Sequence, residues 1–287
     1  MASIINTNIA SLNAQRNLTS SQSSLTQSMQ RLSSGLRVNS AKDDAAGLAI
    51  AERMNAQIRG MNVAVRNAND GISLAQTAEG ALGKVGDALQ RMRELAVQAR
   101  NSTNSNDDKD SLDKEFGELA KEIQRVLGGT TFNGKHVIGS DAATLTFQVG
   151  AGTSAYDTID VETTNLTTDG SITTIAGTDQ TAAGRASIGS GADATAIATV
   201  IDNIDKAINT INTQRATMGA SQSRLDSVVA NLQVSVENQS AARSRIMDAD
   251  FAAETANMSR AQILQQAGTA MVAQANQIPQ QVLTLLR

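Results

Sequence analysis

Apolar positions recur in alternating steps of three and four along most of the chain, the spacing that lines one face of a helix packed on another helix. Near the start, Ile5, Ile9 and Leu12 form a short stripe. Leu18, Leu25, Met29, Leu32 and Leu36 form a second, and the gap between Leu12 and Leu18 sets the two out of phase. The run "LSSGLRVNSAKDD" then interrupts the pattern with Gly35 and a Ser/Asn cluster. Ser40 and Asp43 stand at capping-box spacing, which predicts a new helix starting near Ala41. Gly47, Ala51, Met54, Ile58, Met61, Val65, Ala68, Ile72 and Ala75 keep its rhythm; Ala78, Leu82, Val85, Leu89 and Met92 resume it after one shortened step. A helix over about residues 42–100 would be roughly 85–90 Å long, which predicts a rod.

Ser105 and Asp108 repeat the capping spacing, and Leu112, Phe116, Leu119, Ile123 and Val126 carry a third helix toward the expected stop at Gly128-Gly129. Residues 130–190 are rich in Thr, Gly, Ser and Asp, and "TLTFQV" and "YDTIDVE" alternate as hairpin strands do. Helical rhythm returns at Asp193 with Ile197, Ile201, Ile204, Ile208, Ile211, Met218, Leu225, Val229, Leu232 and Val236, interrupted by Arg215 and Gln222. The final stripe is Leu264, Gly268, Met271, Ala275, Ile278, Val282 and Leu285.

The predicted fold is mainly α: a long antiparallel, coiled-coil-like helical rod with a small β-hairpin insert, its N- and C-terminal helices paired at one end. The expected divisions are 1–41 and 241–287 for the terminal coiled coil, 42–138 and 191–240 for the rod, and 139–190 for a short surface insert. Two paired terminal helices leave much of their apolar surface wet. Burying one Leu or Ile is worth about 1.5–3 kcal/mol, so the remaining stripe is expected to be covered by other copies of the same chain.

Composition agrees. The 40% hydrophobic content is largely Ala with Val, Ile, Leu and Met, with 2% aromatic residues, which suits thin helix-to-helix seams better than a globular core. A net charge of −4 gives no electrostatic case for nucleic acid. No apolar run is long enough to span a membrane, and the first residues lack the features of a cleavable signal. With no Cys, disulfides and thiolate metal sites are excluded.

Candidate chemistry is sparse. "GTTFNGKH" nearly matches a phosphate-binding loop, but His136 replaces the magnesium-holding hydroxyl and the segment follows a helix; an Asn-Gly hairpin turn explains it better. One His cannot build an H-E-x-x-H zinc site, and the carboxylate pairs Asp43-Asp44 and Asp107-Asp108 sit at helix starts, where they oppose the macrodipole. No catalytic, cofactor-binding or metal-binding residue is assigned, and no enzyme is expected. Pro279 should cost a helix interior about 3 kcal/mol, so a bend or a missing hydrogen bond is expected near Ala275, tolerated because neighbouring subunits hold the segment.

"RLSSGLRVNSAKDDAAGLAIAERM" and "ARSRIMDADFAAETANMSRAQILQQAGTAMVAQANQIPQQVLTLLR" closely resemble bacterial flagellin, as do "ALQRMRELAVQARNSTNS" and "FNGK". The resemblance covers roughly residues 1–138 and 190–287. It implies an exported, extracellular subunit that polymerises into the helical flagellar filament, its terminal helices forming the inner coiled-coil layers. Ile5, Ile9, Leu12, Leu264, Met271, Ile278, Val282 and Leu285 are then the expected polymerisation contacts. Implied partners are the chain itself, an export chaperone, cap and hook-associated proteins, and a Toll-like innate immune receptor; nucleic acid and membrane are not. "QRMRELAVQ" resembles the patch that receptor reads, with Arg91, Leu95 and Glu115 at the family's contact positions, although assembly alone also explains those residues. A hook–filament junction protein of the same superfamily and a membrane-inserting secretion-system translocator are the alternatives.

Overall fold

The computed structural model describes residues 7–285, with side chains to Gln277. Its helices are α1 (Ile9–Ser34), α2 (Ala45–Ala99), α3 (Asn106–Gly129), the short α4 (Gly170–Ala176), α5 (Ala194–Met247) and α6 (Phe251–Leu285). Four short strands, β1 (Thr131–Phe132), β2 (Lys135–His136), β3 (Thr144–Gln148) and β4 (Thr158–Glu162), form two separate antiparallel hairpins between α3 and α4. The chain divides into two compact units, one made of residues 1–56 and 237–287, the other of residues 57–236.

In the first unit α1 and α6 run antiparallel. Arg31 faces Glu254, Leu18 meets Gly268, and Asn8 Nδ2 donates to the carbonyl of Ala275 at 2.8 Å, so the partner's number falls as the residue number rises. Two corrections arise. α1 is one unbroken helix, because the Leu12–Leu18 gap is filled by the small residue Ala14, which keeps the seam in phase. The helix predicted to start near Ala41 starts at Ala45: the Asp43 carboxylate accepts from the backbone N–H of Asn39 and Ser40 and closes a turn, and Asp44 caps α2 by accepting from Gly47 N–H at 2.7 Å. Gly35 ends α1 in the left-handed conformation, φ 72°, donating its N–H to Arg31 O. Beyond it Arg37 N–H donates to Met247 O, and Val38, Ala51 and Met247 close a small apolar cluster.

In the second unit the paired contacts Gly71–Leu225, Glu79–Arg215, Gly86–Ile211 and Arg93–Asp205 place α2 and α5 antiparallel. The predicted stripes are the buried ones. Ala68, Ala75, Ala78, Leu82, Val85, Leu89 and Met92 of α2 meet Ile197, Ile204, Ile211, Met218 and Leu225 of α5, the latter spaced by strict sevens. α3 begins at the expected capping box, Ser105 with Asp108, and adds Phe116, Ile123 and Leu127 to the same core. Its end differs from expectation. Gly128 and Gly129 remain helical, and Thr130 terminates the helix in extended conformation, with both its N–H and hydroxyl donating to Val126 O.

"FNGK" is the turn it was read to be: Asn133 (φ 50°) and Gly134 (φ 78°) join β1 to β2 as a two-residue loop needing positive φ at both positions. The longer hairpin lies along α2, where Gly60 leaves space for Ala151 and Asn67 Nδ2 donates to Gln148 O. At its tip Asp157 and Ser154 close a reciprocal cap, and Tyr156 stands 96% exposed. The segment expected to be a surface insert also enters the core. Ile159, Val161, Leu166, Ile172, Ile175 and Ile188 are buried in the same cluster as Leu82 and Phe116. The composition of 139–190 hid this, because its apolar residues are too few for a periodic stripe and are dispersed among Thr and Gly.

Two carboxylates of α3 tie the return loop down. Asp113 receives Arg185 Nη2 and Nη1 at 2.6 and 3.0 Å and the N–H of Ile188 at 2.8 Å, while Asp110 receives the N–H and hydroxyl of Ser190. Arg185 also lies over the Phe116 ring, 5.9 Å from its centre. Burial pushes the Asp113 carboxyl up, but the Arg185 and Ile188 hydrogen bonds outweigh it and hold the group below 3.8; the Ser190 N–H does the same for Asp110. A carboxyl lowered by folding contributes stability above its unfolded pKa and loses it as pH falls through the folded pKa. Asp113→Asn should therefore destabilise the unit by about 1–2 kcal/mol at pH 7, with the gap to wild type closing at acid pH, as the Asp113 carboxylate is protonated. Urea titrations of both proteins at the two pH values check this.

Candidate assembly surface

Positions facing between α1 and α6 keep a heptad rhythm that mixes a few apolar residues with many small or polar ones. On α1 they are Ser11, Ala14, Leu18, Ser21, Leu25, Ser28 and Leu32; on α6 they are Glu254, Met258, Ala261, Gln265, Gly268, Val272 and Ala275. Small residues let the helices approach, so Leu18 Cδ1 lies only 3.2 Å from where a Cβ on Gly268 would stand. Other large apolar residues point away from the seam. Ile9 is 64% exposed, Leu12 51%, Leu264 51% and Met271 63%. The predicted C-terminal stripe is thus divided: Gly268 and Ala275 face α1, while Leu264 and Met271 face away from it. Ile5 lies outside the described residues, and the side chains of Ile278, Val282 and Leu285 lie outside the described side chains.

Met29, Phe251 and Ile263 belong to the same outward apolar set and were not assigned to assembly from sequence. Met29 stood in a predicted stripe, read there as seam; Ile263 adjoins Leu264 and signals that the apolar arc is wider than one partner needs. Polar groups share the seam with Leu18, Leu25 and Leu32. Ser11 Oγ donates to Asn276 Oδ1 at 2.7 Å, and Glu254, almost fully buried, has Arg31 3.8 Å away. A pair of helices whose narrow seam mixes leucines with Ser, Ala and Gly, and which still shows Ile, Leu, Met and Phe outward, leaves apolar surface for a partner to bury.

The second group of sequence-assigned residues lies where α2 meets α3. Arg91 is half-exposed and holds Glu115 through Nε at 2.9 Å and Glu94 through Nη1 at 2.9 Å. Those two carboxylates, Glu94 before Glu115, raise its already high pKa, so it is a fixed cation. Arg93 beside it forks onto Asp205 at 2.7 and 3.3 Å. Leu95 departs from expectation: it is fully buried in the core and offers no surface in this conformation, because the α2 face it occupies is covered. Arg91 and Glu115 are brought together on the surface; Leu95 is not part of that patch. His136 has an unpartnered, buried Nδ1, and among the described residues no group of three or more His, Asp or Glu could hold a metal.

Paired helices that leave an apolar face outward fit a protein that associates through its helix surfaces. Two family models match: the bacterial flagellin N-terminal helical region over residues 5–143 and the bacterial flagellin C-terminal helical region over residues 201–286. The chain is 45% identical to a flagellin of Halalkalibacterium halodurans, covering 99% of this chain and 100% of that one, and 46% identical to a flagellin of Xenorhabdus nematophila across 100% of both. A flagellar filament 33 kDa core protein of Treponema phagedenis is 41% identical, covering 99% of this chain and 100% of its own. Among solved structures, a crystal structure of Bacillus cereus flagellin is 33% identical with a TM-score of 0.47, covering 58% of this chain and 88% of its own. The chain belongs to the bacterial flagellin family: it is a structural subunit of the extracellular flagellar filament, self-polymerising and not an enzyme.

Proposed function

We propose that the subunit is exported and that its polymerisation contacts are the outward apolar side chains of α1 and α6. Ile9, Leu12, Leu264 and Met271 carry this reading, supported by Met29, Phe251 and Ile263. Ile5, Ile278, Val282 and Leu285 extend the set on sequence grounds. The observation behind it is the outward face: α1 and α6 pair through a seam of leucines and small residues and still leave Ile9, Leu12, Leu264 and Met271 to solvent. Before assembly the same face is the natural purchase for an export chaperone, and at the filament ends for the cap and hook-associated proteins. Seeded growth followed by light scattering tests the contacts. Variants carrying Met271→Asp or Leu264→Asp should stay monomeric, and normal growth of both would refute the assignment.

A second reading concerns Arg91 and Glu115, proposed as contacts of a Toll-like innate immune receptor. The supporting observation is an exposed guanidinium held at a fixed orientation by two carboxylates, the geometry in which Arg serves as an interface anchor. Arg91→Ala should lower the monomer's potency in receptor-reporter cells by about tenfold or more on the usual hot-spot scale. Leu95→Ala should act differently, through loss of core packing worth about 2–5 kcal/mol, visible as a lower Tm. Equal potency of wild type and Arg91→Ala monomers would remove this patch from recognition.

A further inference from the structure

The chain's single proline, Pro279, stands inside the helical run of α6. An imino acid has no N–H, so the carbonyl of Ala275, four residues earlier, loses its helical donor. Ala275 is buried against α1, where an unpartnered carbonyl is costly. Its donor comes from the other end of the sequence: Asn8 Nδ2 reaches Ala275 O at 2.8 Å. Asn8 Oδ1 meanwhile accepts from Ser11 N–H at 3.1 Å and caps α1. Only a primary amide does both, since a carboxylate has no donor and a hydroxyl is too short to bridge the helices. The missing bond expected near Ala275 is therefore supplied within the chain.

We propose that Asn8 and Pro279 together form a register lock for the α1–α6 pair. Apolar packing along this seam distinguishes registers poorly. Leu18, Leu25 and Leu32 recur every seven residues on α1, and Ala261, Gly268 and Ala275 recur every seven on α6. A slip of one heptad sets Leu25, instead of Leu18, against Gly268, and each leucine again meets a small residue. The slip moves Ala275 about 10 Å along the helix, which takes its carbonyl out of Asn8's reach. Pro279 makes that loss count, because no N–H within α6 can replace the amide. Arg31 and Glu254 also change neighbours on slipping, and the bonds from Ala249 N–H to Gly35 O and from Arg37 N–H to Met247 O tie the join between the helices; Asn8 is the tie at the end remote from that join. A polar group at one position of an otherwise permissive seam is an established way to set helix register.

The test uses disulfide trapping in filaments of the full chain, which has no native cysteine. Leu18→Cys with Gly268→Cys reports the native register, since the two Cβ positions lie 3.7 Å apart. Leu25→Cys with Gly268→Cys reports the slip. Asn8→Ser keeps a capping side chain but cannot reach Ala275, and should raise the slipped fraction about tenfold, the effect of one buried hydrogen bond. Pro279→Ala restores an N–H four residues beyond Ala275, so adding it to Asn8→Ser should lower the penalty for losing the amide in the native register. Critical concentration should move in step, raised by Asn8→Ser and largely recovered in the double variant. No register change with Asn8→Ser would overturn the proposal. So would an equal loss in critical concentration whether residue 279 is Pro or Ala, which would make Asn8 a cap and nothing more. Loss of all filaments would be scored by the same trapping in pelleted short seeds, where a native-only crosslink again counts against the lock.

Discussion

Removing the residues after Ile263 should leave a chain that stays monomeric under conditions where the full chain grows filaments. The truncation takes Leu264 and Met271 from the outward face, Gly268 and Ala275 from the seam, and the rest of α6 with them. α1 then has no partner from its start to about Leu18, since that residue packs at Gly268. Each exposed Leu or Met that assembly would have buried is worth about 1.5–3 kcal/mol, and a subunit contact repeated along a polymer cannot lose several of these and persist. The second unit keeps its own core and should be unaffected, so far-ultraviolet circular dichroism should show a smaller but cooperative helical signal. Seeded light scattering decides the question. Normal growth of the truncated chain would place the polymerisation contacts elsewhere.

Replacing residues 140–188 with a Gly/Ser linker should unfold the second unit, not merely trim it. Read from sequence, this segment is a short surface insert; its buried side chains make it part of the core as well. Ile159, Val161, Leu166, Ile172, Ile175 and Ile188 are buried against α2, α3 and α5, and removing even one large buried side chain costs about 2–5 kcal/mol. Six such losses come to about 12–30 kcal/mol, enough to use up the margin of about 5–15 kcal/mol by which a domain is ordinarily stable. Loss of a cooperative thermal transition is the expected result. Ile172→Ala alone is the milder check and should lower Tm measurably. A linker variant that melts like wild type would mean the helices close over the gap without help.

The helices were legible because their buried positions repeat. Ile197, Ile204, Ile211, Met218 and Leu225 are spaced by sevens and all are buried, as the periodicity of α5 requires. The turn at Asn133-Gly134 was equally plain, since few other pairs accept positive φ twice. Three things were not. α4 is seven residues long, too short for a helical period to show, and it is held by tertiary contacts such as Gln124 Nε2 to Gly177 O. Which half of the C-terminal stripe faces α1 depends on the partner's side-chain sizes, and a stripe read on one helix alone cannot divide Gly268 from Met271. Leu95 lies about one turn beyond Met92 on a helix buried on two faces, so the position that the resemblance implied as a contact is one the core already covers.

The hairpin tip has a consequence for observing the protein. Tyr156 is the single tyrosine of a chain without tryptophan, and it projects 96% into solvent. Near-ultraviolet absorbance and intrinsic emission therefore report chiefly one phenol that folding hardly touches. Melting the cores should pass almost unseen at these wavelengths, while anything that settles on the β3–β4 tip should register. Polymerisation monitored by tyrosine anisotropy, quenching by iodide or nitration would read the environment of a single outer position, free of the background that most proteins carry.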